Sequence, residues 1–269
     1  MIRDLRYPED ARKVIDSLHG GLRYDASIAV LGNVCTKLPL DSECPDFSTG
    51  IRYGGRAEDE AVRRDAPGLL SRFSLISMVS RFERHAVLLL LQRRVLEKLG
   101  SSGRKMTPDA MWRVLSRVRT ESRRGPVKVC SELVVERPSS ALTRRMDWLA
   151  GIYKIRNCLA HRLGKVEMED VKRPETSLKE VEQADRLRAV WLRLKAAIDG
   201  HEITGFPHTV SGSGNVAIAF EEYEREWKIG DQIHITPLEC QGIGMSLSML
   251  GNQLLADFER EMNSFLGLC

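Results

Sequence analysis

Between Leu142 and Leu163 apolar residues return at steps of three and four: Leu142, Met146, Leu149, Ile152, Ile155, Leu159 and Leu163. That period lays one stripe along an α-helix, and a helix so built must bury the stripe against other elements. Ser139 or Ser140 is placed to cap its start and Gly164 to end it. The chain is thereby committed to packing helices around this segment.

Other segments extend the pattern. Pro67–Leu99 carries Leu70, Phe73, Ile76, Val79, Ala86, Leu90 and Leu91 at roughly helical spacing and is closed by Gly100-Ser101-Ser102-Gly103. Thr107-Pro108-Asp109 marks a helix start, with Thr as cap and Pro in the first turn. That helix carries Met111, Val114, Leu115 and Val118 and is expected to stop near Gly125-Pro126. Val127–Glu136 alternates weakly, as a short strand or an extended connector would. Val181, Ala184, Leu187, Val190, Trp191 and Leu194 predict a further helix over Ser177–Ile198.

The ends have a different texture. Residues 1–66 suggest a short helix at Pro8–Leu18, a strand-like Ala26–Val34 and a loop over Thr36–Gly55. Beyond Gly200, Asn215–Phe220 reads as a strand that Asp231–Ile235 could join, and Ser246–Phe265 as a final amphipathic helix. The expected fold is mainly α, a core of four principal helices with small mixed α/β extensions at both ends. It divides into 1–66, an irregular extension; 67–199, the helical domain; and 200–269, short strands plus a helix.

Bulk properties narrow the classes. Hydrophobic content of 42% and charged content of 29% are those of an ordinary globular protein. The longest apolar run, Ala86–Leu91, falls far short of the ~20 residues that span a bilayer, so no membrane association is expected. The first ten residues hold no apolar stretch like that of a secretory signal. Six cysteines without CxxC spacing suggest reduced thiols, and with that a cytoplasmic location. A net charge of +4 is compatible with RNA without demanding it. The cations gather in two segments: Arg113, Arg117, Arg119, Arg123, Arg124 and Lys128, then Arg144, Arg145, Lys154, Arg156 and Arg162. Either set could equally be a solvated helix face.

The chemistry concentrates in Arg156-Asn157-Cys158-Leu159-Ala160-His161. On a helix, Asn157 and His161 project from one side, with Tyr153 a turn earlier, while the stripe around Leu159 points away. Arg156 lies at the border and must curl toward the histidine. Metal-free RNA cleavage needs a proton carrier for the 2′-hydroxyl or the leaving 5′-oxygen, and a cation for the charge on phosphorus. His161 and Arg156 suit those tasks, and Asn157 could hold the imidazole or a phosphate oxygen. Lys154, Arg162 and Tyr153 are candidate substrate-binding residues. One histidine serves poorly as both base and acid, which makes a homodimer with two facing sets attractive. The plainer alternative is a histidine beside a helix C-terminus and an arginine paired with an acid.

The string Ile155-Arg156-Asn157-Cys158-Leu159-Ala160-His161-Arg162-Leu163-Gly164 resembles the signature of the HEPN superfamily. There, Arg, a polar residue and a His follow one another in a late helix of a four-helix unit. The likeness covers about residues 67–199 and includes helix order: a long first helix, a second, the motif helix and a closing one. It implies a metal-independent endoribonuclease that needs no cofactor and works as a dimer, in toxin–antitoxin, antiphage or RNA-processing settings. An antitoxin or other regulatory protein would then be a partner. Arg156 and His161 become the catalytic pair and Asn157 their companion. Glu83 is the candidate for a polar residue that some members place in the first helix. The rival expectation is a non-catalytic HEPN-like module, for dimerisation, adaptor work or nucleic-acid or nucleotide sensing.

Other patterns carry less. His201, His208, His234 and Cys240 match no zinc spacing, so no metal site is expected. Gly212-Ser213-Gly214-Asn215-Val216-Ala217 fits GxGxxA, but the strand–turn–helix context of a dinucleotide site is missing. Trp112, Trp148 and Trp191 are expected as core anchors, and His85 as a surface or interface residue.

Overall fold

The computed structural model describes residues 7–35, 56–101, 106–133, 140–171, 186–198, 201–203 and 216–266. The loop expected over Thr36–Gly55, the GxGxxA glycines and the first nine residues of the helix expected from Ser177 lie outside them. Among the described residues the protein is mainly α-helical, with seven helices and one three-stranded antiparallel sheet.

α1 (Tyr7–Cys35) is one long helix, where a short helix and a strand were expected. Its buried positions, Ala11, Ile15, Leu18, Leu22, Asp25 and Ala29, advance by threes and fours straight through Gly20-Gly21. The Arg81 side chain lies against Gly21, and its Nε bonds Asp25 at 2.7 Å, so a partner helix carries the glycines that locally resemble a terminator. α2 (Arg56–Ser101) starts well before Pro67, because Arg56–Ala66 is rich in Ala, Glu and Arg, which favour helix.

α3 (Pro108–Ser122) has the expected cap: the Thr107 side chain accepts the Ala110 N–H at 3.2 Å. It ends before Gly125, whose φ of 87° makes the turn. α4 (Pro126–Leu133) replaces the expected strand or connector; Pro126, Val129, Cys130 and Leu133 are buried at helical spacing. α5 (Ser140–His161) is the motif helix, and α6 (Met168–Val171) is a single turn.

β1 (Arg186–Ile198) is the main correction, since a closing helix was expected there. Leu187, Val190, Trp191 and Leu194 fit a helical period, but Leu187, Ala189 and Trp191 also alternate with Arg186, Arg188 and Val190. A complementary strand decides between the two periods. β3 (Val216–Lys228) sets Trp227 opposite Leu187 and Tyr223 opposite Trp191, while its glutamates meet the β1 cations: Arg186–Glu226 at 2.7 Å, Lys195–Glu221 at 2.8 Å, and Arg188–Glu224. β2 (His201–Ile203) completes the order β2–β1–β3. Residues 231–233 do not join β3 as expected. They bond the chain after α5 instead, with Val166 N–H to Asp231 O at 3.0 Å and Ile233 N–H to Gly164 O at 2.8 Å.

α7 (Pro237–Leu266) is longer than the expected final helix. α1 packs on α2 and α7, while α5 touches α2, α4, α7 and β1. Two helical glycines let β1 approach. An added Cβ at Gly151 would lie 2.8 Å from Ala189 Cα, and one at Gly242 would collide with the Leu192 carbonyl oxygen. No helix among the described residues is long and apolar enough to cross a membrane.

Candidate functional site

α5 ends in a pinned turn. Leu163 takes φ 56° and Gly164 φ 91°, and the N–H groups of Arg162 and Gly164 both donate to Cys158 O, at 3.0 and 2.9 Å. A Cβ at Gly164 would come 2.7 Å from Gln232 Nε2, so the glycine that the sequence offers as terminator is required twice over. Arg72 of α2 donates to Leu159 O, one of the last carbonyls of the helix, which have no intrahelical partner. His161, the final helical residue, is exposed.

Arg156 is half-buried and held from three sides. Its Nη1 donates to Asn157 Oδ1 at 3.0 Å and its Nη2 to Ser80 Oγ at 3.4 Å, while the guanidinium carbon stands 6.0 Å from the Tyr153 ring centroid. The side chain therefore curls to the side of Asn157, and Asn157 is one turn before His161 on the same side. Lys154, seven residues before His161, lies close to that line as well.

Glu83 is near enough to feel the same guanidinium. Partial burial pushes its carboxyl above the usual range, against the opposing pull of Arg156. The bonds Arg72–Leu159 and Ser80–Arg156 make α2 and α5 antiparallel here. Glu83 therefore sits toward the Tyr153 side of the guanidinium, and His161 toward the other.

The remaining candidates are placed differently. Arg162 is turned inward, ion-paired with the buried Asp170 and 3.7 Å from Glu167, so its charge is already matched. Lys154 lines an open groove of about 960 Å³ between α5 and the sheet. The arginines of that groove are paired with sheet carboxylates, Arg144 with Glu222 and Arg186 with Glu226. Cys158, inside the motif, is fully buried. Its thiol is pushed up to about 12, by burial first and then by Asp170, which removes it as a nucleophile.

Four side chains depart from expectation or escaped it. Trp148 and Trp191 are core anchors, but Trp112 is 69% exposed. His85 is buried, with Nδ1 2.6 Å from Arg81 O. Ser80 and Arg72, which fix the motif arginine and the helix end, lie 76 and 87 residues from their partners, and no local pattern marks them. Cys240 is buried with its thiol on Ser71 O at 3.2 Å, and among the described residues no group of three or more His, Cys, Asp or Glu is placed to hold a metal.

Comparison of this chain with protein-family models, with curated proteins and with solved structures returned no match.

Proposed function

We propose that the protein is a metal-independent endoribonuclease in which Arg156 and His161 cut RNA by attack of the 2′-oxygen on the adjacent phosphorus. The bond to the 5′-oxygen breaks and a 2′,3′-cyclic phosphate remains. His161 carries the proton to or from an oxygen, Arg156 meets the charge growing on the phosphoryl oxygens, and Asn157 fixes the guanidinium that does so. One observation carries this reading: the guanidinium is held by Asn157, one helical turn before the exposed His161.

Glu83 and His161 lie on opposite sides of Arg156, so a second copy of the chain is the simpler source of a second imidazole, and the active form is a homodimer. The likeness to the HEPN superfamily rests on the motif and its place in a late helix; the strand at 186–198 removes the support that a closing helix would have given. A toxin or antiphage role in the cytoplasm, with an antitoxin or regulatory partner, belongs to the same reading.

The test is cleavage of labelled RNA in EDTA, with analysis of the product ends. His161→Ala, at an exposed position, should lower the rate at least about a hundredfold while the melting temperature stays put. Arg156→Lys should lower the rate similarly. Arg156 also ties α5 to α2 through Ser80, which favours a second reading as a non-catalytic binding module. In that case RNA stays whole with the wild-type protein, and His161→Ala changes no binding.

A further inference from the structure

We propose that the outer face of α3 is a track for single-stranded RNA, on which Trp112 stacks a base while Arg119 and Arg123 hold phosphates. Trp112, Ser116, Arg119 and Arg123 follow one another by four, three and four residues, so they form one stripe opposite the buried Val114, Val118 and Glu121. Trp112 is 69% exposed in this stripe, whereas the other three tryptophans are at most 6% exposed.

The charge is unbalanced in a way that suits a polyanion. Among the described residues, Arg113, Arg119, Arg123 and Arg124 have no ion-pair partner, while nearby Arg117 and Lys128 are matched by Glu121 and Glu132. The only exposed carboxylate on the helix is Asp109, in its first turn. An open indole amid unpaired guanidinium groups fits a strand with splayed bases better than a duplex.

The track leads to the candidate site. Gly125 follows Arg124, and a Cβ there would come within 3.3 Å of the Tyr153 ring, beside which Arg156 lies. From Trp112 to Arg123 the helix rises ~16 Å. That the strand is RNA rests on the function proposed above; the surface itself does not depend on cleavage.

The experiment uses the full chain carrying His161→Ala and a fluorescein-labelled 12-residue oligouridine, with anisotropy read across a salt series. Trp112→Ala should weaken binding about tenfold and abolish quenching of tryptophan emission, and Trp112→Phe should restore most of the affinity. Arg119→Glu with Arg123→Glu should weaken binding further and lower the slope of log affinity against log salt by about 1.4. The proposal falls if the parent protein does not bind the oligomer, or if these variants bind it as the parent does. It falls equally if Trp112→Ala leaves oligouridine binding intact and instead splits a dimer or releases acidic vesicles. Binding through α3 by a wild-type chain that never cuts the strand would retain the track and reject the nuclease. Cutting with the α3 variants unaltered in affinity would do the reverse.

Discussion

At the scale of single residues, side chains of α2 fix the end of the motif helix: Ser80 holds Arg156 and Arg72 holds Leu159 O. Asn157 and His161 are four apart, so helical spacing groups them on one side, while Arg156 reaches that side only by curling its side chain. Ser80 and Arg72 reach α5 from a different helix, and nothing in their own surroundings announces it. Trp112 shows the same limit from another direction, since its neighbours in sequence resemble those of a core tryptophan, and only the packing of Val114 and Val118 turns it outward. Glu83 offers a residue-level test with a defined sign. Its folded-state pKa is raised, mainly by burial, so its ionised form costs stability at neutral pH and its protonated form does not. Glu83→Gln should therefore raise the melting temperature at pH 7 to 8, and the gain should vanish as the pH falls below the ordinary glutamate range. A constant difference across pH would show that the carboxyl is not desolvated.

Between elements, glycines record where backbones meet. Gly242 faces the Leu192 carbonyl with no room for a methyl group, whereas nothing lies within 4 Å of a Cβ at Gly20. Gly242→Ala should lower stability by about 2–3 kcal/mol, because α7 or β1 must shift. Gly20→Ala should raise it by about 0.5–1 kcal/mol, as expected for an unhindered helix interior. Urea titration of both variants decides the matter, and similar midpoints would mean that α7 does not press on β1 there. The pairing of β1 with β3 explains why 186–198 is a strand. Its residues satisfy two periods at once, and the choice is made by Trp227, Tyr223 and the glutamates of β3, which are distant in sequence. α5 and α3 were legible because cap, stripe and terminator agree locally.

Over the whole molecule, one buried guanidinium connects three helices. Arg94, 8% exposed, reaches Glu121 of α3 at 3.0 Å and Glu132 of α4 at 2.9 Å, and adjoining Arg93 reaches Glu261 of α7 at 2.7 Å. Arg94→Ala leaves the buried Glu121 with only the more exposed Arg117 as a partner, and should cost about 2–3 kcal/mol in chemical denaturation. Glu132 titrates below the usual range, held down first by its hydrogen bond from Lys128. A lowered carboxylate stabilises the fold above the unfolded value and loses that effect as the pH drops through the folded one. Glu132→Gln should accordingly flatten the acid limb of the stability curve; an unchanged limb would place the acid sensitivity elsewhere. The motif cysteine has a practical use of its own. Cys158 is sealed inside α5 with its thiol at about 12, so an alkylating reagent can modify it only after that helix detaches from its neighbours. Mass spectrometry of timed labelling at this one sulfur would clock the opening of the motif helix without any engineered probe.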